Sequence, residues 1–493
     1  MTQKIETQKG KSSFFKTDYF HYCVALILMV AIKLLLVPEN GLTEAGVTLV
    51  AVVCGMLYLL VTANSPYIAF LLAPLVIVTG VNTGNAVSVN FLATTSIMLV
   101  LVFSIVCTNL GSHGVVDNIA TWFITRPIAQ GKPYVFLTMF TLSQLFIGTF
   151  MENLTVSVLY ISLTEAICEK IGAKKGDSLH FALMMNTVWA GGIISVHSPI
   201  AKICPNQMLT FVKNQLGLEI SYTQWLAVGI PFAIISMFAI LLVTRFVIRP
   251  DMTPLKNIDV KVFADEKAVM SKPAKISVIT MAVLVAFIVL PETFLSMGIN
   301  LPVIKYLKSI PIVVYAMFSI FVLCNIKYDG KPVMDFKSCL VKVPLSLMFF
   351  QGTLNLISPR LGADDTGVVT WLKNLFTPFI ADLPVFGVFV ALLVFTVALT
   401  QVLTNVVSFT LVFNIGIAML SGTGFNMAAL AVMITIMAGL AFMLPTSSVG
   451  MPLWFGPGHV TVGKAAFPTL CITVLMVIVV IALIPWAQVV LPI

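Results

Sequence analysis

Charge is what this sequence has least of. Asp, Glu, Lys and Arg make up 10% of its 493 residues while hydrophobic residues make up 59%; a soluble globular chain carries about 25% charged residues. With a mean hydropathy of +1.03, the chain is excluded from the ordinary water-soluble class and must be a polytopic membrane protein. Signatures of metal and redox chemistry are also missing. The eight cysteines, Cys23, Cys54, Cys107, Cys168, Cys204, Cys324, Cys339 and Cys471, are scattered, mostly within apolar runs, and show no CxxC or Cys/His ligand spacing. Neither a disulfide framework nor a metal site is expected, no cofactor is implied, and the thiols read as small buried hydrophobes. The five histidines, His21, His113, His180, His197 and His459, form no HExxH pattern and have no nearby carboxylate pair, which argues against an intramembrane enzyme. The spans also lack the continuous polar face of a channel. No secretory signal is expected: residues 1–19 are mostly polar, with Lys4, Lys9, Lys11 and Lys16, and no small-residue cleavage site follows the first apolar run, so that span is retained. The net charge of +8 therefore reads as a topology signal, and no nucleic-acid partner is expected.

What the sequence does have is polar residues in unusual places. Glu152-Asn153-Leu154-Thr155 interrupts the apolar sequence between Tyr134 and Tyr160. Each flanking arm falls short of the ~20 apolar residues that cross a bilayer, yet is too apolar for water. A re-entrant helical hairpin with its tip inside the membrane satisfies both. Backbone that leaves a helix at that depth must line a cavity or meet a ligand, because unpaired peptide groups there cost several kcal/mol each. Roughly half a chain later, Leu403-Thr404-Asn405-Val406-Val407-Ser408 interrupts the run from Leu383 to Met419 in the same way, as in transporters built from paired repeats. The two tips read as two halves of one site.

The order of segments supports a repeat. Apolar runs predict spans at 20–37, 45–63, 66–80 and 91–110, an amphipathic piece near 115–125 around Trp122, a hairpin at 134–168, and a span at 179–196. That span breaks at Gly191-Gly192 and again near His197-Ser198-Pro199, and a long span follows from Tyr222 to Val247. Charges crowd between Arg249 and Lys275, an aqueous linker with a surface helix. Spans then recur at 276–297, 309–326 and 341–358, with an amphipathic piece at 366–376 around Trp371, a hairpin at 383–420, a span at 427–444 broken at Pro445-Thr446-Ser447-Ser448-Val449-Gly450, and a last span from Ala465 to Val490. An N-terminus placed inside brings most Lys and Arg inside with it, including Arg126, Lys132, Lys170, Lys174, Lys175, Lys327, Lys331, Lys337, Lys342 and Lys464, and leaves Glu39, Glu44, Asp364, Asp365 and Asp382 outside. The halves are then inverted, and the C-terminus lies outside the cytoplasm. The expected fold is all-α and polytopic, with two inverted repeats, re-entrant helical hairpins and broken transmembrane helices.

Unwound points in helices expose N–H groups where the macrodipole contributes roughly half a positive charge. Two tips and two broken spans gather several such ends near the midplane, a setting suited to a small carboxylate. Asn153 and Asn405 add amide donors, and Thr155, Thr404, Ser408, Ser198, Ser447 and Ser448 add hydroxyls. The Asn153-Leu154-Thr155 glycosylation sequon is set aside because its flanks lie in lipid.

At these residues the sequence resembles the divalent anion/sodium symporter family of di- and tricarboxylate carriers. The likeness covers nearly the whole chain, including Trp225-Leu226-Ala227-Val228-Gly229-Ile230-Pro231 after the first break and Ala441-Phe442-Met443-Leu444-Pro445 before the second. It implies a plasma-membrane homodimer moving by an elevator mechanism. Residues 1–19 would be a cytoplasmic segment, 20–126 and 276–376 scaffold, 127–248 and 377–493 transport domain (hairpins 134–168 and 383–420, broken spans 179–205 and 427–455), and 249–275 a cytoplasmic linker. Family tips carry Ser-Asn-Thr; here they read Glu152-Asn153-Leu154 and Thr404-Asn405-Val406, so the substrate role carries over to the two asparagines. The family's Gly-Thr-Pro-Pro-Asn loops, which help hold sodium, are replaced by Ser198-Pro199-Ile200-Ala201-Lys202 and Ser447-Ser448-Val449-Gly450-Met451.

Neither an ammonium nor a thioether supplies the oxygen cage of a sodium site. Lys202 is expected to substitute for the ion. A carrier holding a fixed buried charge crosses the membrane empty only at a cost of several kcal/mol, which predicts sodium-independent dicarboxylate exchange (2-oxoglutarate, succinate, malate, fumarate or citrate class). Two alternatives stand beside it: a sodium-coupled symporter, and proton coupling through Glu152 and His197. Glu152 beside an anion must be protonated or paired, with Lys202 or His197 as the candidate partner.

Overall fold

The computed structural model describes residues 18–62, 68–82, 91, 94–200, 202–257, 259–263, 270–343, 345–380, 383–401, 405–420, 422–444, 447–448, 451–455 and 458–492. Helices dominate, because lipid offers the backbone no hydrogen bonds and long apolar runs must satisfy their peptide groups internally. Among the described residues, Pro133–Phe150, Tyr222–Ile248, Lys272–Leu295 and Val462–Val490 are long and apolar enough to cross a bilayer. Two further pairs pass together but bend, Ile97–Ser112 with Val115–Ile124 by 64° and Pro302–Ser309 with Ile312–Asn325 by 84°. The first bend falls at Gly114, whose φ is 68. The second falls at Ile310-Pro311, where proline cannot continue the preceding helix. The fold is thus an all-α polytopic one. It contains one small departure, the antiparallel strands Lys327–Tyr328 and Lys331–Pro332. Asp329 (φ 49) and Gly330 (φ 76) between them adopt the left-handed pair that a two-residue hairpin turn requires.

The chain divides into two compact units. One comprises Met1–Leu92 with Leu345–Phe379. Within it, helix Asp18–Leu35 packs on Glu44–Thr62, and Ile68–Val78 packs on Leu345–Leu361. The turn at Asp364–Thr366 docks on the start of Glu44–Thr62 through Thr43, whose hydroxyl donates to the Asp365 carbonyl at 2.7 Å. A Cβ on Gly46 would lie 2.0 Å from the Thr366 carbonyl oxygen, so this approach admits only glycine. Arg360 ties the same corner, donating to the Val81 carbonyl at 2.9 Å and to the Asp365 carboxylate at 2.7 Å.

The other unit, Ala93–Pro344 with Ile380–Ile493, holds both hairpins and both broken spans. Its centre is formed by Ser178–Ile194 and Met427–Ala438, whose residues are buried on nearly every side, as expected of helices that are apolar all round. Tyr222–Val243 and Val462–Val490 pack together and present Ile234, Phe238, Leu242, Phe467, Val474 and Ile478 outward, a surface suited to lipid. The hairpins are Pro133–Phe150 with Asn153–Ile171 and Val385–Thr400 with Asn405–Leu420. The linker is partly docked: Phe263 is buried against Phe136 with ring centroids 5.5 Å apart, and Lys170 donates to the Val262 carbonyl at 3.1 Å.

The first span leaves its helix just before His197-Ser198-Pro199, one of its two expected breaks, but not at Gly191-Gly192, and the second break comes earlier than expected. Gly191 and Gly192 stay inside helix Ser178–Ile194, and the chain leaves the helix only after Ile194. The two glycines serve close packing instead: a Cβ on Gly192 would lie 2.7 Å from Phe442 and 2.9 Å from the Gly439 carbonyl oxygen. The second break begins at Gly439, well before Pro445, because side chains of the facing hairpin take the carbonyls that the helix would need to continue. Thr400 Oγ1 donates to Ala438 O at 2.7 Å, and Gln401 Nε2 donates to Leu440 O at 2.8 Å. Thr404, Ala201, Pro445, Thr446, Val449, Gly450 and nearly all of segment 1–19 lie outside the described residues.

Candidate functional site

At the first tip the chain leaves one helix at Phe150 and starts the next at Asn153, with Met151 and Glu152 extended between them. Glu152 is the N-cap of the outgoing helix, and its carboxylate accepts from Thr155 N at 3.1 Å. A negative group at that position complements the helix dipole. The sequence left Glu152 to a choice of cationic partners; its hydrogen-bond partner is a main-chain N–H, with Lys202 near enough to interact electrostatically.

Lys202 is 2% exposed. Its main chain is the N-cap of Ile203–Leu216, a positive helix end, and its side chain reaches away from it so that the ammonium donates to the Met151 carbonyl. That carbonyl closes the C-terminal, negative end of Pro133–Phe150. His197 is likewise occupied at both nitrogens: Nδ1 donates to Ile193 O at 3.1 Å and Nε2 meets the Thr149 hydroxyl at 3.0 Å. Ser198 Oγ donates to Thr149 O at 2.8 Å and accepts from Ile200 N at 3.1 Å. Three side chains, those of His197, Ser198 and Lys202, therefore seat the loop from Ser195 to Lys202 on the first hairpin tip.

The same loop explains a motif. Trp225 Nε1 donates to Val196 O at 2.9 Å, and a Cβ on Gly229 would lie 1.8 Å from His197 O. Trp225 and Gly229, one helical turn apart, hold and admit the break. The indole supplies the donor and the glycine supplies the room.

Asn153 and Asn405 each occupy the first position of a helix, where main-chain N–H groups have no intrahelical acceptor. Asn153 Oδ1 accepts from Ser157 Oγ at 3.4 Å, and the side-chain amide of Asn405 lies 3.4 Å from Thr400 Oγ1, whose proton goes to the nearer Ala438 O. Among the described residues neither Nδ2 meets an acceptor. Thr155 is half-buried with its N–H taken by Glu152. Ser408 is fully buried and its hydroxyl has no partner among the described residues, an arrangement that calls for an explanation in a native interior. Ser447 donates to Leu444 O at 2.7 Å, and Ser448 is half-buried beside it.

Two side chains that the sequence reading did not single out hold the second half. Gln401 donates to Leu440 O and accepts from Met443 N at 3.1 Å, pinning the second break to the second tip. Trp454 donates to Thr187 Oγ1 at 2.8 Å and approaches Gly191, whose Cβ, if present, would lie 3.7 Å from Asn153 Oδ1. Gln401 was visible as a lone amide inside an apolar arm. Both breaks therefore meet at Gly192 and Gly439, each with its own hairpin tip against it. A cleft of about 600 Å³ lies elsewhere, lined by His113, Asp117, Ser162, Lys170 and Phe263, and does not include the tip residues.

Residues 43–439 match the family CitMHS, citrate transporter. Among relatives, the sodium-dependent dicarboxylate transporter SdcS of Staphylococcus saprophyticus is 22% identical over 474 residues, covering 92% of this chain and 88% of its own. Among solved structures, the YdaH transporter of Alcanivorax borkumensis, whose crystal structure revealed an unusual topology, is 12% identical with a TM-score of 0.52. It covers 96% of this chain and 99% of its own, and it shares the fold.

Proposed function

This chain belongs to the citrate transporter family, and on that footing we propose that it exchanges small di- and tricarboxylates across the plasma membrane without sodium. It is a membrane transporter and not an enzyme. The observation that carries the exchange reading is the Lys202 ammonium on the Met151 carbonyl. Carriers with discontinuous helices coordinate their cation through carbonyls at half-helix C-termini. Here such a carbonyl is taken by a tethered cation, and Gln401 takes Leu440 O at the second break. Both ends are supplied with donors by the protein itself. The substrate sits in this reading between Asn153 and Asn405, with their amide nitrogens, which meet no acceptor among the described residues, and the adjoining helix N-termini as donors, and with Thr155, Thr404, Ser408, Ser198, Ser447 and Ser448 as the surrounding hydroxyls. The N-terminus is cytoplasmic and the C-terminus is outside. The protein works as a homodimer whose transport elements (127–248 and 377–493) move against a scaffold (20–126 and 276–376) in an elevator cycle.

The second reading, sodium-coupled symport, is favoured by one observation, the sodium dependence of the SdcS relative. Counterflow in proteoliposomes with a panel of dicarboxylates and citrate separates the two. Exchange requires substrate on the far side and is indifferent to sodium, whereas sodium-driven accumulation into empty vesicles would overturn it.

A further inference from the structure

Away from both tips, three metal-ligating side chains converge. Glu165 lies toward the end of helix Asn153–Ile171, His180 at the start of Ser178–Ile194, and His459 just before Val462–Val490. Glu165 Oε1 is 3.1 Å from His180 Nε2 and 2.8 Å from His459 Nδ1, and the three ligand atoms lie within 4.8 Å of one another. Four ligands around a zinc ion at ~2.0–2.2 Å stand about 3–3.5 Å apart, so the spacing suits that shell. The imidazoles face one another with ring centroids 6.1 Å apart.

The contacts present do not use this geometry fully. His180 Nε2 hydrogen-bonds Glu165, but His459 Nδ1, although only 2.8 Å from the same oxygen, is a buried atom without an aligned partner. Glu165 is 42% exposed and His459 14%, so an ion and a fourth, water ligand have a way in.

We propose that Glu165, His180 and His459 form a binding site for one divalent transition-metal ion of zinc-like character. Two imidazoles and one carboxylate select such an ion over magnesium or calcium, which take all-oxygen shells. The bound ion ties the outgoing arm of the first hairpin and the first broken span to the segment leaving the second break. Trp454 on that segment already donates to Thr187, so the ion braces the junction of the two repeats from its rim. The site is independent of what is transported.

The test uses the full-length protein in detergent, stripped with chelator, then titrated with Zn2+ by calorimetry and with Co2+ by visible absorption. Expected are one ion per chain, a Co2+ d–d band without sulfur charge transfer, and a Tm raised by Zn2+. Glu165→Gln and His459→Ala should each weaken binding by at least ~10-fold and abolish the Tm response. Glu165 is exposed enough to be replaced without unfolding, which keeps the result decisive if His459→Ala misfolds. Absence of binding by the unaltered protein, equal affinity in the variants, or a sulfur-to-cobalt band placing the ion on cysteine would each overturn the proposal.

Discussion

The Lys202 ammonium donates to the main-chain carbonyl of Met151, joining the first broken span to the first hairpin tip. Replacing Lys202 with Met should leave that carbonyl unmet at a cost of about 1–3 kcal/mol and lower exchange at least ~10-fold, read as counterflow normalised to protein. Lys202→Asn goes further, since it removes the tethered cation and adds an oxygen. Stimulation of that variant by sodium, with none in the unaltered protein, is the expected result. Sodium stimulation of the unaltered protein would count against exchange.

Asn153→Ala and Asn405→Ala should each remove one amide donor from the bound carboxylate. The expected loss is about 1 kcal/mol, a rise of roughly 5-fold in KM, with smaller change in maximal rate. Saturation curves for labelled substrate check this. Equal KM values across the three proteins would remove the asparagines from the site.

Glu152 caps Thr155 N, so Glu152→Gln should lower stability by about 1 kcal/mol, while Glu152→Ser, a good cap, should restore most of it. Transport by both variants should keep the pH profile of the unaltered protein. Loss of pH dependence in Glu152→Gln would instead make this carboxylate a proton carrier.

Gly192→Ala should overpack the crossing against Phe442 and the Gly439 carbonyl, lowering stability by about 1–3 kcal/mol. Gly111→Ala, where a Cβ meets nothing within 4 Å, is the control. Melting of the two variants side by side gives the comparison.

The Arg360 guanidinium holds the Asp365 carboxyl below its usual range. A depressed folded pKa contributes stability above the unfolded value of about 3.9, and the contribution is lost as pH falls through the folded one. Because Asp365 is 60% exposed, Asp365→Asn should cost no more than a few tenths of a kcal/mol at neutral pH, less in high salt, and nothing at strongly acidic pH. A loss that high salt leaves unchanged would count against a screened surface pair.

The hairpins were legible because a polar interruption in an apolar run has few structural solutions in lipid. Trp122 and Trp371 likewise marked amphipathic helices that the structure contains, Val115–Ile124 and Val368–Ile380. What escaped the sequence depends on partners distant along the chain. Gly191-Gly192 looks like a helix break in one dimension and is a packing surface in three. The helix end at Ala438 is set by Thr400 and Gln401, and no local signal at Gly439 reports them. Asp329-Gly330 is a readable turn signal, hidden by strands only two residues long. His180 and His459 stand more than half the chain apart, so ligand-spacing patterns could not connect them.

Where Gly192 crosses Gly439, a Cβ on either would crowd the other repeat: on Gly192 it would lie 2.9 Å from Gly439 O, and on Gly439 it would lie 2.6 Å from Val196 and 3.2 Å from Gly192 O. Elsewhere in the interior, an enlargement on one face can be answered by a reduction on the other. Here carbonyl oxygens are part of the obstacle and both crossing positions already carry the smallest residue there is, so no smaller residue at one can make room for a larger one at the other. At this crossing each repeat therefore restricts the sequence of the other.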